Sequence, residues 1–402
     1  MDNNKAIELE WENTLQVLAE KNASLMEFSY FLNLARMYYG QYGKIGSKPR
    51  VIMLGHYFPE EIIRAMGIDF CYVCGGSYES TLLPDVNIPK DADDEIRSLI
   101  GVLRSEPLNP KDDVVLLPLY SDSMKKLKAL LGDIATVLCF EVPSDKKDLL
   151  LQKRFENEIK RVTAELKRHF KKKLSAAKLK EQCLVSKKAA EVFTELEKLH
   201  KEKATALSAS ALLFIASSYN MCNDKAEWIS HLESLITELR NNTISTNAFP
   251  EVMLLGSPIY VPNYKVLFAV EEMKLRIHTI IHPDIEHIKV LHNAEKSFSL
   301  KNLANQYFES DISPIYIKNP TTENKVMNAV NTGKIKGIIA HIIKGQTLFD
   351  FEFKRIEQFT ADSKIPMNRI ETVYNNSDVE QIKLRLEAFA EMLNMKHAKT
   401  SK

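Results

Sequence analysis

The sequence is poor in cysteine, lacks long apolar runs and carries almost no net charge, and each absence excludes a class of protein. Five cysteines at irregular spacing do not form a disulfide framework, and they indicate a reducing compartment. The longest apolar stretch, near 209–216, is shorter than the roughly 20 residues that a membrane-spanning helix needs. We therefore expect a soluble, cytoplasmic protein with no membrane partner.

The charge balance and the first residues of the chain argue against a nucleic-acid partner and against export. The chain has 54 Lys and Arg against 53 Asp and Glu, so no global field favours nucleic acid as a partner. Residues 1–15 lack the basic start and apolar core of a secretory signal, and we expect no export. Walker, GxGxxG, GxSxG and HExxH motifs are also missing, which argues against ATP hydrolysis, ordinary dinucleotide binding, serine hydrolysis and zinc proteolysis.

Two stretches of alternating strand and helix patterns are present, separated by a helical stretch. Residues 1–47 have apolar positions at helical spacing and predict a helical N-terminal arm. Residues 48–145 alternate short apolar runs such as RVIMLG and VVLLPL with helical patterns, which predicts a first α/β domain with a parallel sheet. Residues 146–245 have only helical periodicity, and 246–402 return to alternation, as a second α/β domain. The predicted fold class is α/β, with two Rossmann-like or flavodoxin-like parallel-sheet domains.

Cysteine and histidine supply few candidates for chemistry. Cys71 and Cys74 form the one CxxC motif, but it falls in a predicted strand rather than at a helix start, so we interpret both as buried structural cysteines. Four histidines cluster loosely after the second strand of the second domain, and we interpret them as surface residues rather than metal ligands: His278, His282, His287 and His292.

The order of the motifs resembles a known family over nearly the whole chain. FPEEIIRAMG, IPKDADDEIRSLIG, VVLLPLYSDSMKKLKALLG and FEVP are followed by the helical block, MLLGSPIYVPNYKVLFAVEE, IKGIIAHIIKGQTLFDFEF, IPMNRIETV and LRLEAFAEML. In that order they resemble the 2-hydroxyacyl-CoA dehydratase D-component family, which includes class I benzoyl-CoA reductase cluster subunits. The resemblance implies a cluster-bearing fold that acts on acyl-CoA substrates.

The family holds a 4Fe-4S cluster with three cysteines, one from each of three loops. The resemblance places these three slots on Asp93, Ser121 and, within a residue or two, Gln346. Thiolates are soft anionic ligands that a serine hydroxyl and a glutamine amide do not replace. Asp93 could ligate iron, but one carboxylate with two neutral oxygens makes a hard, weak site. We therefore expect no metal and no cofactor in this chain.

The resemblance also suggests places for substrate contact. Glu60 and Glu61 match the family's Pro-x-Glu helix start, where a carboxylate also stabilises the first turn, and that structural role is the simpler interpretation. The remaining candidates lie after predicted strands, where plain turns are the alternative: Asp122, Gly256, Ser257 and Pro258.

Three functions follow as hypotheses. The first is a non-redox subunit that pairs with a homologous cluster-bearing subunit, or with itself as a dimer, and contributes part of a CoA pocket. The second is a free-standing protein that binds acyl-CoA or another small molecule in the former cluster cavity. The third is an active 4Fe-4S dehydratase, a lyase, with relocated ligands such as Cys71 and Cys74.

Overall fold

The structure is a computed structural model of the 402-residue chain. It describes residues 3–40, 49–83, 88–89, 92–105, 108–202, 207–241, 249–294, 298–310, 320–361 and 363–400. Part of the predicted N-terminal arm, residues 41–47, lies outside the described residues.

The chain begins with two helices, α1 (Asn3–Lys21) and α2 (Phe28–Gly40). Both are amphipathic, and Trp11, Leu15, Phe28 and Phe31 are buried against the rest of the protein. The prediction of a helical N-terminal region is confirmed.

The first sheet has four parallel strands in the order β2-β1-β3-β4. The strands are β1 (Arg50–Met53), β2 (Asp69–Tyr72), β3 (Val114–Leu119) and β4 (Thr136–Glu141). The helices between them are α3 (Glu60–Met66), α4 (Tyr78–Thr81), α5 (Asp94–Ser105) and α6 (Asp122–Leu131). The reversal of strand order at β1 and β3 creates a crevice at the carboxyl ends of these strands.

The middle of the chain is helical, as the lack of glycine and proline predicts. It comprises α7 (Leu149–His169), α8 (Ala176–Lys201), α9 (Ala209–Met221) and α10 (Lys225–Asn241). Helix α9 is buried on nearly every side, which explains the apolar stretch of the sequence there. Over the described part of the chain, no helix has the length and apolarity needed to cross a membrane.

The second sheet repeats the strand order of the first, as β6-β5-β7-β8, all parallel. Its strands are β5 (Glu251–Gly256), β6 (Arg276–Ile280), β7 (Gly337–Ile343) and β8 (Met367–Thr372). Its helices are α11 (Lys265–Glu272), α12 (Pro283–Lys289), α13 (Leu300–Glu309), α14 (Pro320–Asn331), α15 (Thr347–Thr360) and α16 (Val379–Thr400), with a 3-10 turn at Asn376–Asp378. The predicted fold class, α/β with two parallel sheets and helical segments, is confirmed.

Helices cover both faces of each sheet, and some come from the other half of the chain. One face of the first sheet packs on α5 and α6, and the other packs on α3, α7, the start of α8 and α13. The second sheet lies between α14 and α15 on one face and a large core on the other, to which α1, α2, α9, α10, α11 and α16 contribute. The helical segments are therefore parts of the two sheet cores rather than separate layers.

Candidate functional site

A cavity of about 270 Å³ lies where the carboxyl ends of the two sheets face each other. The loops after β1, β2 and β3 form one wall, and the loops after β5, β6 and β7 form the other. Its residues from the first half include Gly55, His56, Tyr57, Cys74, Asp93, Glu95, Tyr120 and Ser121, and those from the second half include Gly256, Pro258, His282, Gln346, Phe349 and Glu352. Parallel α/β sheets commonly bind ligands at this position.

All three positions that the resemblance assigns to cluster cysteines line this cavity. Asp93, Ser121 and Gln346 come from different loops, and each directly precedes a helix: α5, α6 and α15. Asp93 Oδ1 accepts a hydrogen bond from the Ile96 amide at 3.2 Å, and Ser121 Oγ accepts one from the Met124 amide at 3.2 Å. Two of the positions therefore satisfy backbone donors at helix starts.

The third position, Gln346, bridges the two walls. Its Nε2 donates to Asp93 Oδ1 at 3.2 Å and to Glu95 Oε2 at 2.6 Å. Glu95 was not singled out from the sequence, although it lies two residues after a slot position and on the first turn of α5. The bridge connects helix starts that are distant in the chain, and periodicity carries no signal for such a contact.

The carboxyl groups of the cavity are held in surroundings that oppose their ionisation. Burial raises the pKa of Asp93, although the hydrogen bonds from Ile96 and Gln346 act against it. Burial, together with the neighbouring Asp93 charge, raises the pKa of Glu95 to about 7. Burial likewise raises the pKa of Glu352 to about 7, partly opposed by Arg355 and reinforced by Glu323. Glu95 and Glu352 therefore titrate near neutral pH.

The five substrate candidates fall in different places. Gly256 and Pro258 line the cavity, whereas Ser257 is buried behind it, where its Oγ accepts a hydrogen bond from the Ile343 amide at 2.9 Å. Asp122 is exposed on α6 beside Lys125. Glu61 lies outside the cavity and accepts a hydrogen bond from Tyr307 Oη at 3.0 Å.

Glu60 and Glu61 belong to a buried network of charges rather than an exposed helix cap. Arg64 Nε lies 3.3 Å from Glu60 and Lys225 Nζ lies 3.6 Å from it. Burial opposes ionisation of Glu60, but the charges of Lys225 and Arg64 outweigh it and lower its pKa to about 2. Glu61 has weaker compensation, and burial raises its pKa. The network lies beside the cavity and provides an ionised carboxylate within the core.

The prediction of surface histidines is wrong for three of the four residues. His278, His282 and His287 are buried, because β6 and α12 lie inside the fold, whereas His292 is half-buried. Burial lowers the pKa of His282 to about 4 and that of His287 to about 3. Their neutral rings therefore pack in the core.

His56 was not singled out, although it occupies the GHYFP loop at the end of β1. Its Nε2 lies 2.7 Å from Asp284 Oδ1, and its ring stacks on His287 with centroids 4.5 Å apart. Asp284 also accepts hydrogen bonds from Ser217 Oγ at 2.6 Å and Asn220 Nδ2 at 3.0 Å. Burial opposes the charge of Asp284, but His56 and His282 outweigh it and lower its pKa. The result is an oriented His-Asp pair at the cavity wall.

The donor atoms around the cavity do not fit an iron-sulfur cluster. Such clusters are held by thiolates, and Cys74 is the only cysteine among the described residues that line the cavity. Burial raises the pKa of its thiol, which opposes thiolate formation. Cys71 packs on the sheet face below, and in the described segments no group of three His, Cys, Asp or Glu side chains is arranged to hold a metal ion.

Comparison with known proteins agrees with the family that the order of the motifs indicates. The family model for the 2-hydroxyglutaryl-CoA dehydratase D-component matches residues 56–393. The chain is also 22% identical over 348 residues to the protein named "Putative dehydratase subunit YjiM" of Escherichia coli (strain K12), covering 84% of this chain and 89% of that one. The matched range begins just after β1, and it contains the other seven strands and every cavity residue named above except Gly55. The chain belongs to the 2-hydroxyglutaryl-CoA dehydratase D-component family.

Proposed function

We propose that this chain is a dehydratase-like subunit without a 4Fe-4S cluster of its own, which works in a complex with a homologous cluster-bearing subunit. The observation that carries the proposal is the set of hydrogen bonds made by Asp93, Ser121 and Gln346, the three side chains at the cluster-cysteine positions. Asp93 and Ser121 accept hydrogen bonds from backbone amides at helix starts, and Gln346 donates across the cavity to both Asp93 and Glu95. Two of the three side chains at the slots, Asp93 and Gln346, thus join the two walls.

A subunit of this kind contributes binding rather than electron transfer. Redox chemistry of the family type depends on the cluster, and a chain without the thiolates must receive that chemistry from its partner. What this chain retains is the fold, the cavity and a buried set of polar groups around His56 and Glu60. We propose that these position a ligand for the partner, or shape the interface with it.

The first test is the iron and acid-labile sulfide content of anaerobically purified protein, before and after reconstitution. We expect essentially none of either per chain. About four of each per chain would overturn the proposal, because that is the content of an intact 4Fe-4S cluster. The double variant Cys71→Ser/Cys74→Ser serves as a control: iron that it loses would support the hypothesis of relocated ligands.

The second test is association with a cluster-bearing family member. We expect the two purified chains to co-elute, and the activity of the partner to change when this chain is added. Failure of both readouts would remove the subunit role while leaving the absence of a cluster intact.

The cavity itself favours a second candidate, a free-standing binding protein. Its volume of about 270 Å³ lies just below the usual range of small-molecule sites, so it suits an acyl end or a small ligand rather than a whole acyl-CoA. A thermal-shift panel of CoA esters and their free acids tests this function, and a flat response across the panel would count against it.

A further inference from the structure

Three buried polar atoms on the cavity side chains have no hydrogen-bond partner within the described residues. They are His56 Nδ1, Gln346 Oε1 and Glu352 Oε1. His56 is 1% exposed and Glu352 is 7% exposed, so water outside the cavity does not satisfy them. Unpaired buried polar groups are costly, and those that line a cavity are candidates for contact with a ligand.

Gln346 Oε1 is an acceptor, His56 Nδ1 is one in the neutral ring with its proton on Nε2, and Glu352 Oε1 is one in the ionised carboxylate. The amide of Gln346 is oriented by its two carboxylate neighbours, which accept from Nε2 and leave Oε1 for the cavity. In the neutral imidazole of His56, the contact with the Asp284 carboxylate places the proton on Nε2, so Nδ1 keeps a lone pair. Glu352 Oε1 accepts whenever the carboxyl group is ionised. A complementary ligand must therefore supply hydrogen-bond donors.

The charges on the cavity wall also favour a ligand that donates hydrogen bonds over one that accepts them. Asp93, Glu95 and Glu352 line the cavity, and none of its described lining residues is Lys or Arg. A carboxylate ligand would thus meet three carboxyl groups and no basic side chain there. A cation would be attracted to the same groups.

Aromatic rings provide further support for a cation. Tyr57 and Tyr120 lie with ring centroids 5.2 Å apart, and Phe349 and Phe353 with centroids 6.3 Å apart, all on the cavity wall. The faces of such rings attract cations. These rings also supply the apolar surface that a small organic ligand needs.

The helix starts favour an anion instead. The first turns of α5, α6 and α15 border the cavity and carry partial positive charge. Each amounts to about half a unit charge, whereas an ionised carboxylate is a full unit. Asp93 and Glu95 lie at the start of α5, and Asp122 lies in the first turn of α6. The carboxyl groups therefore dominate once they ionise.

We propose that the cavity binds a small organic cation through a primary ammonium group, which donates to His56 Nδ1, Gln346 Oε1 and Glu352. This inference rests on the proposed function in one respect, since it requires a cavity that no cluster fills. It names the ligand class of that cavity and disfavours ligands with a carboxylate at the same end.

The test compares three probes of the same ring and similar size: benzylamine, benzyl alcohol and benzoate. Binding to the full-length, iron-free protein is measured by calorimetry or ligand-observed NMR at pH 8. We expect benzylammonium to bind at least about tenfold more tightly than benzoate, which corresponds to about 1.4 kcal/mol, with benzyl alcohol between them. Equal or tighter binding of benzoate would overturn the inference, and so would a lack of binding by all three probes.

Two variants test whether the preference for benzylammonium depends on the charge of Glu352 in the cavity wall. Glu352→Gln keeps the shape but removes the charge, and we expect it to lose most of the preference for benzylammonium. Glu380→Gln, on an exposed part of α16, is the matched control and should bind as the unchanged protein does. Preference retained in Glu352→Gln would contradict the assignment, provided that its thermal unfolding matches the control.

The outcomes separate the inference from the proposed function. About four iron and four sulfide per chain would refute the proposed function before any probe is added. Selective binding of benzylammonium without partner association supports the ligand class and removes the subunit role. Partner association without binding of any probe supports the subunit role and removes the ligand class.

Discussion

Burial and the neighbouring charge of Asp93 oppose the ionisation of Glu95, whereas its hydrogen bond with Gln346 favours it. Its carboxyl group is buried next to Asp93, and only the Gln346 amide compensates it. Because its pKa is raised to about 7 in the fold, the folded protein holds this proton longer than the unfolded chain does. Stability from this group is therefore present below about pH 4.5 and is lost as the pH rises to about 7.

The substitution Glu95→Gln tests this conflict. Glutamine keeps an acceptor for Gln346 but does not ionise, so we expect the variant to raise Tm by about 1–3 °C at pH 8 and to change it little at pH 5. Differential scanning calorimetry at the two pH values measures the effect, with Glu380→Gln as the exposed control. A variant that is equally stabilised at both pH values, or destabilised at pH 8, would show that Glu95 is not strained by its charge.

At the scale of elements, the contact between β5 and β7 depends on Gly256. Its φ of +124° is a conformation that other residues rarely adopt, and a Cβ there would lie 1.9 Å from the His341 carbonyl oxygen. The carbonyl belongs to β7, so the clash falls on the strand that leads into the Gln346 loop of the cavity. This explains a glycine at the end of β5 without any contact to a ligand.

We expect Gly256→Ala to destabilise the protein by more than about 2 kcal/mol. Gly132→Ala is the matched control, because Gly132 has φ of −65° and the nearest atom to its new Cβ would be 3.6 Å away. Denaturant unfolding of both variants measures the difference, and the control should be neutral or slightly stabilised. Similar midpoints for the two variants would mean that the β5–β7 contact relaxes easily.

The strands and helices were largely predictable from the sequence, but the site was not. Apolar runs closed by turn residues marked the strands, and the periodicity of 146–245 marked the helical middle of the chain, because both signals are local. The convergence of Asp93, Ser121 and Gln346 followed only from the family resemblance. Gln346 bonding to Glu95, and His56 to Asp284, join residues far apart in the chain, so no local pattern reports them. The histidines near α12 were misplaced because a polar residue in a short segment does not reveal its burial.

At the scale of the whole molecule, helix α8 connects the two halves. Leu179 and Cys183, near its start, pack in the core of the first sheet, whereas Val192 and Leu196, near its end, pack in the core of the second. A helix of 26 residues is about 39 Å long, enough to span both cores. Because the cavity lies between the sheets, its shape depends on this connection as well as on the Gln346 bridge.

A continuous α8 should make the two halves unfold together. Both tryptophans, Trp11 and Trp228, belong to the core of the second sheet, so their fluorescence reports that half while far-UV circular dichroism reports the whole chain. We expect coincident transitions for the unchanged protein. Lys188→Pro places a proline in the middle of α8 at an exposed position and should cost about 3 kcal/mol or more, or separate the two transitions.

The control for the helix break is Lys188→Ala, which loses only an exposed ion pair with Glu233 and should change stability by less than about 1 kcal/mol. If the proline variant kept coincident transitions at the original midpoint, the two sheets would be coupled through other contacts. If the unchanged protein already showed two transitions, each sheet would have a core stable without the other, and α8 would join the halves without coupling them. If the two transitions coincide in the unchanged protein and in Lys188→Ala but separate in Lys188→Pro, this helix transmits stability from one wall of the cavity to the other.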